Sequence, residues 1–244
     1  MNVSIISGIG AGIDTFQWGT TKLHPLGTMA ISNDGRIFRY CQAGAADLVV
    51  GNIVQSAAPI ANHLANTPPA VAIGDKSFSY TPGATAGAAN LYEDGTLMVD
   101  TTPGNGYTYG ISGHPAISAS TAFLLTLDPD DPIQVALTTS SRVGLHTNPW
   151  KNVIQTPTTV TAPVVGGVVA PIVAANYGWV QTRGPFAGLI NGTPAVGTGL
   201  VSSATTAGAL DVAAVAAEIN VRIIARAMQV GVSTKNNAVY LLLD

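Results

Sequence analysis

Apolar and polar positions along the 244-residue chain alternate over short runs, and clusters of Gly, Asn, Asp and Pro break those runs. A helical repeat is hard to find. The pattern predicts an all-β protein. The clearest hairpin is "GTMAISNDGRIFRYCQAG", with strands at 29–32 and 36–40 around Asn33-Asp34-Gly35, where Asn and Gly tolerate a positive φ. "NLYEDGTLMVD" predicts a second hairpin around Glu93-Asp94-Gly95, and "FAGLINGTPAV" a third around Asn191-Gly192. Further strands are expected at 53–56, 77–80, 107–111, 122–127, 133–138, 177–182, 222–230 and 238–243, the last of them sealing a core. The one helical pattern is "LDVAAVAAEI" at 210–219. Its alanines favour helix, but its flanks lack caps, so a turn fits equally well.

Two stretches have the composition of linkers: 58–75, rich in Pro and Ala, and 155–169, rich in Thr and Pro. They predict an antiparallel β-barrel or sandwich domain built from 23–75 and 155–244, with a small β module, 76–154, inserted in it. Residues 1–22 form an extended N-terminal arm in this reading. One large barrel or sandwich would give the same pattern. The charge-free run between Lys151 and Arg183 is long enough to cross a bilayer, but Pro163, Gly166-Gly167 and Pro171 would break a helix there. Two short strands around a turn fit better, and no basic residue precedes Lys22 to start a secretory leader. A soluble protein with no membrane partner is expected.

Composition sharpens this. Charged residues are only 9% of the chain, against roughly 25% in an ordinary domain. Such a surface is either covered by neighbours in an assembly or kept hydrated by neutral Ser, Thr and Asn. The net charge is −3 and no Lys/Arg cluster occurs, which disfavours direct nucleic-acid binding. A single cysteine, Cys41, excludes an intrachain disulfide and a Cys-based zinc site, and a buried thiol is expected.

Candidate chemistry is sparse. His24, His63, His114 and His146 lack the spacing of a metal site. His24 and His114 each precede a proline and are expected in turns, bonded to nearby backbone. Asp128, Asp130 and Asp131 in "LDPDDP" lack the Gly and distal Glu of a calcium loop, so an acidic turn is the better reading. Gly8, Gly10 and Gly12 are not spaced as a dinucleotide loop requires, and no serine sits in a nucleophile elbow. The expectation is a non-enzyme with no cofactor and no metal.

"YGWVQTRGPFAGLINGTPAVGTGLVSSATTAGAL" at 177–210, followed by "IIARAMQVGVSTKNNAVYLLLD", resembles the C-terminal part of tailed-bacteriophage capsid decoration, or cement, proteins. "LGTMAISNDGRIFRYCQAGAADLVVGNIVQ" is similar to that family's opening module. The middle, from "YEDGTLMVD" through "LHTNPWKNVI", resembles a longer subgroup from cyanobacterial and marine phages. The resemblance implies a virion structural protein, made in the host cytoplasm and placed on the outer surface of the icosahedral head. There it would bridge neighbouring major capsid subunits. It also implies self-association, with a trimer favoured over a dimer.

The residues with which such a protein would grip its neighbours are Phe16 and Trp18 on the arm, and Trp179, Arg183 and Phe186 in the "GWVQTRGPF" stretch. Trp and Arg are favoured interface anchors, and even spacing in one strand would turn Trp179 and Arg183 to the same side. Trp179 could equally be core, as could Phe16 and Trp18. Trp150 is expected to plug the inserted module's own core. The alternative function is a head-fibre or adhesin module that binds host surface glycans, with Tyr107, Tyr109 or Trp150 as stacking platforms. A virion-borne glycan hydrolase would need a carboxylate pair, such as Asp100 with Asp128, that the sequence alone does not bring together.

Overall fold

The computed structural model describes residues 5–7, 14–213 and 222–244, the first three by their backbone alone. Its strands run, in chain order, β1 (Ile5–Ser7), β2 (Met29–Ile31), β3 (Ile37–Gln42), β4 (Ile53–Gln55), β5 (Ser77–Tyr80) and β6 (Thr96–Thr101). There follow β7 (Thr108–Gly113), β8 (Phe123–Leu127), β9 (Arg142–His146), β10 (Ile154–Gln155) and β11 (Val164–Val168). The last five are β12 (Tyr177–Ile190), β13 (Gly199–Ser202), β14 (Leu210–Val212), β15 (Ala225–Ala227) and β16 (Lys235–Leu242). Among the described residues the only helical turn is a 3₁₀ turn at Ala61–His63. The protein is mainly β, as the alternation predicts. The helical pattern at 210–219 begins as strand β14, and its residues from 214 on lie outside the described residues.

Two compact units form among the described residues, one from those up to 58 together with those from 149 on, and one from Pro59–Asn148. These limits differ from 76 and 154. The Pro-rich stretch before residue 76 joins the smaller unit, because Val71 exchanges both backbone hydrogen bonds with Leu137 and lies in that unit's core. Trp150 falls in the larger unit. It packs against that unit's core and under the Arg39 guanidinium, 5.3 Å from ring centroid to cation, so it does not plug the smaller one.

The larger unit is organised by β12, 14 residues long. Its first half pairs with β3 and β11, and its second half with β16 and, at Ile190, with β14. Since β14 pairs with β13, β13 with β15, and β15 with β16, these five strands close into a barrel around Phe186, Ile190, Leu200, Leu210, Val239 and Leu241. Such closure leaves no free edge among them. β12 changes partner at a bulge: Gln181 faces Phe38 while Arg183 faces Ile37, with Thr182 as the extra residue. Gly184 follows with φ +95°, a conformation that costs any L side chain. The buried Gln181 amide donates to the carbonyls of Arg183 and Pro185, at 2.9 and 2.8 Å, and so satisfies backbone groups freed at the bend.

The smaller unit is an antiparallel sheet in the order β5-β8-β7-β6-β9. Its strands alternate as a half-buried sheet should: Phe78, Tyr80, Leu97, Tyr109, Ile111, Leu125, Val143 and their like face inward, and Ser77, Ser79, Met98, Thr108 and Ser112 face outward. Residues 62–66 tie its two edges together. Asn66 exchanges both backbone bonds with Val143 of β9, and the Asn62 carbonyl accepts from Gly83, just past β5. The buried His63 locks this seam. Its Nε2 donates to the Thr85 carbonyl at 2.8 Å, so Nδ1 is left to accept from the Tyr92 hydroxyl at 2.5 Å.

Three local expectations change. Leu91 and Tyr92 lie in a turn and do not pair with β6, whose neighbours are β7 and β9. The turn at Asn191-Gly192 joins β12 to β13, which are not paired; β12 lies between β14 and β16. Residues 133–138 contribute the buried side chains of Ile133 and Leu137 without forming a strand.

Candidate interface on the larger unit

A strap, residues 14–24, lies across the start of β12. The Phe16 amide donates to the Asp14 carboxylate at 2.9 Å, which sets a tight turn. Gly19 then exchanges both backbone hydrogen bonds with Tyr177, at 2.9 and 2.8 Å. Further on, the Leu23 amide donates to the Tyr40 hydroxyl, which in turn donates to the Thr21 carbonyl. So anchored, the strap holds Phe16 57% and Trp18 45% exposed. It does not bury them in the unit's own core.

Beneath the strap lies an aromatic cluster. Tyr40 meets Trp179 and His24 at ring-centroid distances of 5.1 Å each, and His24 sits 5.6 Å from Trp179. Tyr177 stacks alongside Tyr40, 6.1 Å away. A hollow of about 120 Å³ opens between Trp18, His24, Tyr40 and Tyr177. Burial raises the Tyr40 phenol above its ordinary value, so it stays a neutral hydrogen-bonding group.

The five sequence candidates thus divide. Phe16, Trp18 and Arg183 are at the surface; Trp179, 4% exposed, and Phe186, 7% exposed, are core. Trp179 and Arg183 do not share a face. Trp179 pairs with Tyr40 and Arg183 with Ile37, which point to opposite sides of β3 because one residue number is even and the other odd. The bulge at Thr182 reverses the alternation. What the structure does bring together is Phe16 and the second half of β12. Phe16, Arg36, Val50, Pro185, Phe186 and Ala187 line a hollow of about 180 Å³. Val50, Pro185 and Ala187 were not singled out from the sequence. The alternation in "RGPFAGLI" carries the signal, since residues 183, 185 and 187 all point outward once the strand is extended to Ile190.

Asp244 fixes the bend from the other side. Its carboxylate accepts from Arg39 at 3.0 and 3.2 Å and from the Thr182 hydroxyl at 2.6 Å. Burial alone would raise its pKa, but the hydrogen bonds from Arg39 and Thr182 outweigh that and hold it below the usual carboxylate value. A depressed folded-state pKa stabilises the fold above the unfolded value of about 3.8. That contribution is lost as pH falls through the lower, folded value. Asp244→Asn is therefore expected to destabilise the protein at pH 7, with the difference from wild type vanishing in stronger acid. Urea unfolding of both proteins across that range checks the sign.

The other residues weighed for chemistry in the sequence each lie within their own unit. Burial pushes the Cys41 thiol up to about 12, which keeps it protonated and inert. The His114 Nδ1 donates to the Pro115 carbonyl at 2.7 Å, and the Asp131 carboxylate caps the Gly110 amide at 2.8 Å. Among the described residues no three His, Cys, Asp or Glu side chains gather as a metal site, and no helix is long and apolar enough to cross a membrane. No protein-family model, curated protein or solved structure matches the chain.

Proposed function

We propose that the protein is a non-enzymatic virion structural protein that binds the outer surface of a phage head and stabilises it by bridging neighbouring major capsid subunits. The observation that carries this reading is the strap: a segment pinned by backbone hydrogen bonds to β12 that holds two large aromatic rings out into solvent. Holding Phe16 and Trp18 exposed costs solvation free energy that a partner surface would return, at about 25 cal/mol per Å² of apolar area covered. Many copies on one shell multiply a modest individual contact. The scarcity of charge, 9% of residues, suits faces that become dry on assembly.

The glycan-binding alternative rests on Tyr107, since Tyr109 is buried and Trp150 packs in the larger unit. Tyr107 is 43% exposed and stacks on Tyr109 at 6.2 Å.

Sedimentation with expanded, undecorated heads tests the reading. Wild-type protein is expected to co-sediment to saturation at a fixed stoichiometry. Phe16→Ala/Trp18→Ala is expected to lose most of that binding while keeping its thermal unfolding, because both rings lie outside the core. Absence of wild-type binding to any head form would overturn the proposal, and glycan-array binding lost on Tyr107→Ala would replace it with the adhesin.

A further inference from the structure

The outward side of the barrel carries a second pattern that the strap does not account for. Paired residues of neighbouring strands point to the same side of a sheet, so the register defines rows across β12, β16 and β15. Pro185 lies beside Tyr240 and Tyr240 beside Arg226. One row away, Arg183 lies beside Leu242; on the other side, Ala187 lies beside Ala238, whose carbonyl accepts from the Met228 amide. Met228 is 47% and Leu242 36% exposed. The hollow under Phe16 reaches this face through Pro185 and Ala187.

Its charges are of one sign. The Arg183 guanidinium makes no hydrogen bond or ion pair with any described residue, and the Arg226 guanidinium donates, among the described residues, only to the Gly197 carbonyl, at 3.0 Å. No Asp or Glu stands at the outward positions of the three strands, and the nearby Asp244 is already taken by Arg39 and Thr182. A Tyr, a Met, a Leu and two guanidinium groups around small side chains match the composition of interface cores. Pairing this face with itself in a second copy would bring together two faces of like charge, which electrostatic complementarity opposes.

We infer that the outward face of β12, β16 and β15 is the docking surface for an aliphatic patch that carries carboxylates on the major capsid subunit, an inference that rests on the function proposed above. Arg183 and Arg226 meet the carboxylates, and Tyr240, Leu242 and Met228 cover the aliphatic part.

The test uses full-length protein and expanded, undecorated heads, with binding measured at about 50 mM and about 500 mM salt, because screening weakens exposed charge pairs. Arg183→Glu/Arg226→Glu is expected to weaken binding at least about tenfold at low salt, and to flatten the salt dependence. Leu124→Glu, on the outward side of the smaller unit, is expected to bind as wild type. Arg183→Glu alone, which removes no hydrogen bond, carries the test should the double variant fail to fold. If wild type and Arg183→Glu bind heads equally, the inference falls and the decoration reading stands. If wild type binds no heads, both fall. If ultracentrifugation shows that Arg183→Glu breaks up an oligomer of the chain itself, the face is a copy-to-copy contact and the inference is overturned.

Discussion

Trp179→Ala is expected to lower the stability of the larger unit by about 3–5 kcal/mol, the range for deleting a large buried aromatic side chain. Trp179 is 4% exposed and packs with Leu26, Ala30, Phe38 and Tyr40. Its contacts with Tyr40 and His24, tilted or edge-on at 5.1 and 5.6 Å, add to the area it buries, by about 0.5–1.5 kcal/mol for an aromatic pair. The loss also reaches the strap, because the Tyr40 hydroxyl that Trp179 helps to position accepts from the Leu23 amide. Two readouts separate packing from surface chemistry. Urea unfolding should show the full loss for Trp179→Ala and a smaller one for Trp179→Phe. Amide exchange at Gly19 should speed up in the alanine variant as the strap loosens. Arg183→Ala, four positions away on the opposite side of β12, should stay within about 0.5 kcal/mol of wild type. Equal effects of the two substitutions would contradict the bulge at Thr182.

That bulge also marks where the sequence stops being legible. Strands such as β5, β7 and β8 can be read from alternation to within a residue or two, because each buries one face and exposes the other. β12 cannot be read to its end, because Gly184-Pro185 has the composition of a turn and proline demotes a strand. The structure tolerates Pro185 because β12 has already parted from β3 at Arg183–Ile37 and is flanked there by β16 alone. Expecting Trp179 and Arg183 on one side assumed unbroken alternation; one extra residue is enough to reverse it. The pairing of β12 with β16 joins positions such as Phe186 and Val239, far apart in the chain. No local pattern specifies such a partner, which is why Asn191-Gly192 reads as a hairpin. The exposed aromatics of the arm were visible as residue types. Whether they would turn inward depended on the Gly19–Tyr177 bonds, which only the folded chain supplies.

Gly95→Ala is expected to cost the smaller unit about 3 kcal/mol or more, at or beyond the upper end for an overpacked core position. Gly95 immediately precedes β6, the strand between β7 and β9; its amide donates to the Tyr92 carbonyl at 2.9 Å and its carbonyl accepts from the Ile111 amide at 3.0 Å. A Cβ at this position would collide with the His146 carbonyl oxygen, and would lie 2.9 Å from the Tyr92 oxygen and 3.1 Å from the Asn148 nitrogen. All three are backbone atoms, so no side chain can rotate away; the start of β6 or the end of β9 must shift. Gly106→Ala provides the contrast. Its φ is +86° with open space around it, so only the left-handed penalty of roughly 1–2 kcal/mol applies. Because the two units have separate cores, calorimetry of the Gly95→Ala protein should show the smaller unit's transition moving to lower temperature while the larger unit's stays in place. A Gly95→Ala cost no greater than that of Gly106→Ala would mean that β6 and β9 do not approach as closely there, and that the seam closed by His63 and Asn66 has slack to absorb a methyl group.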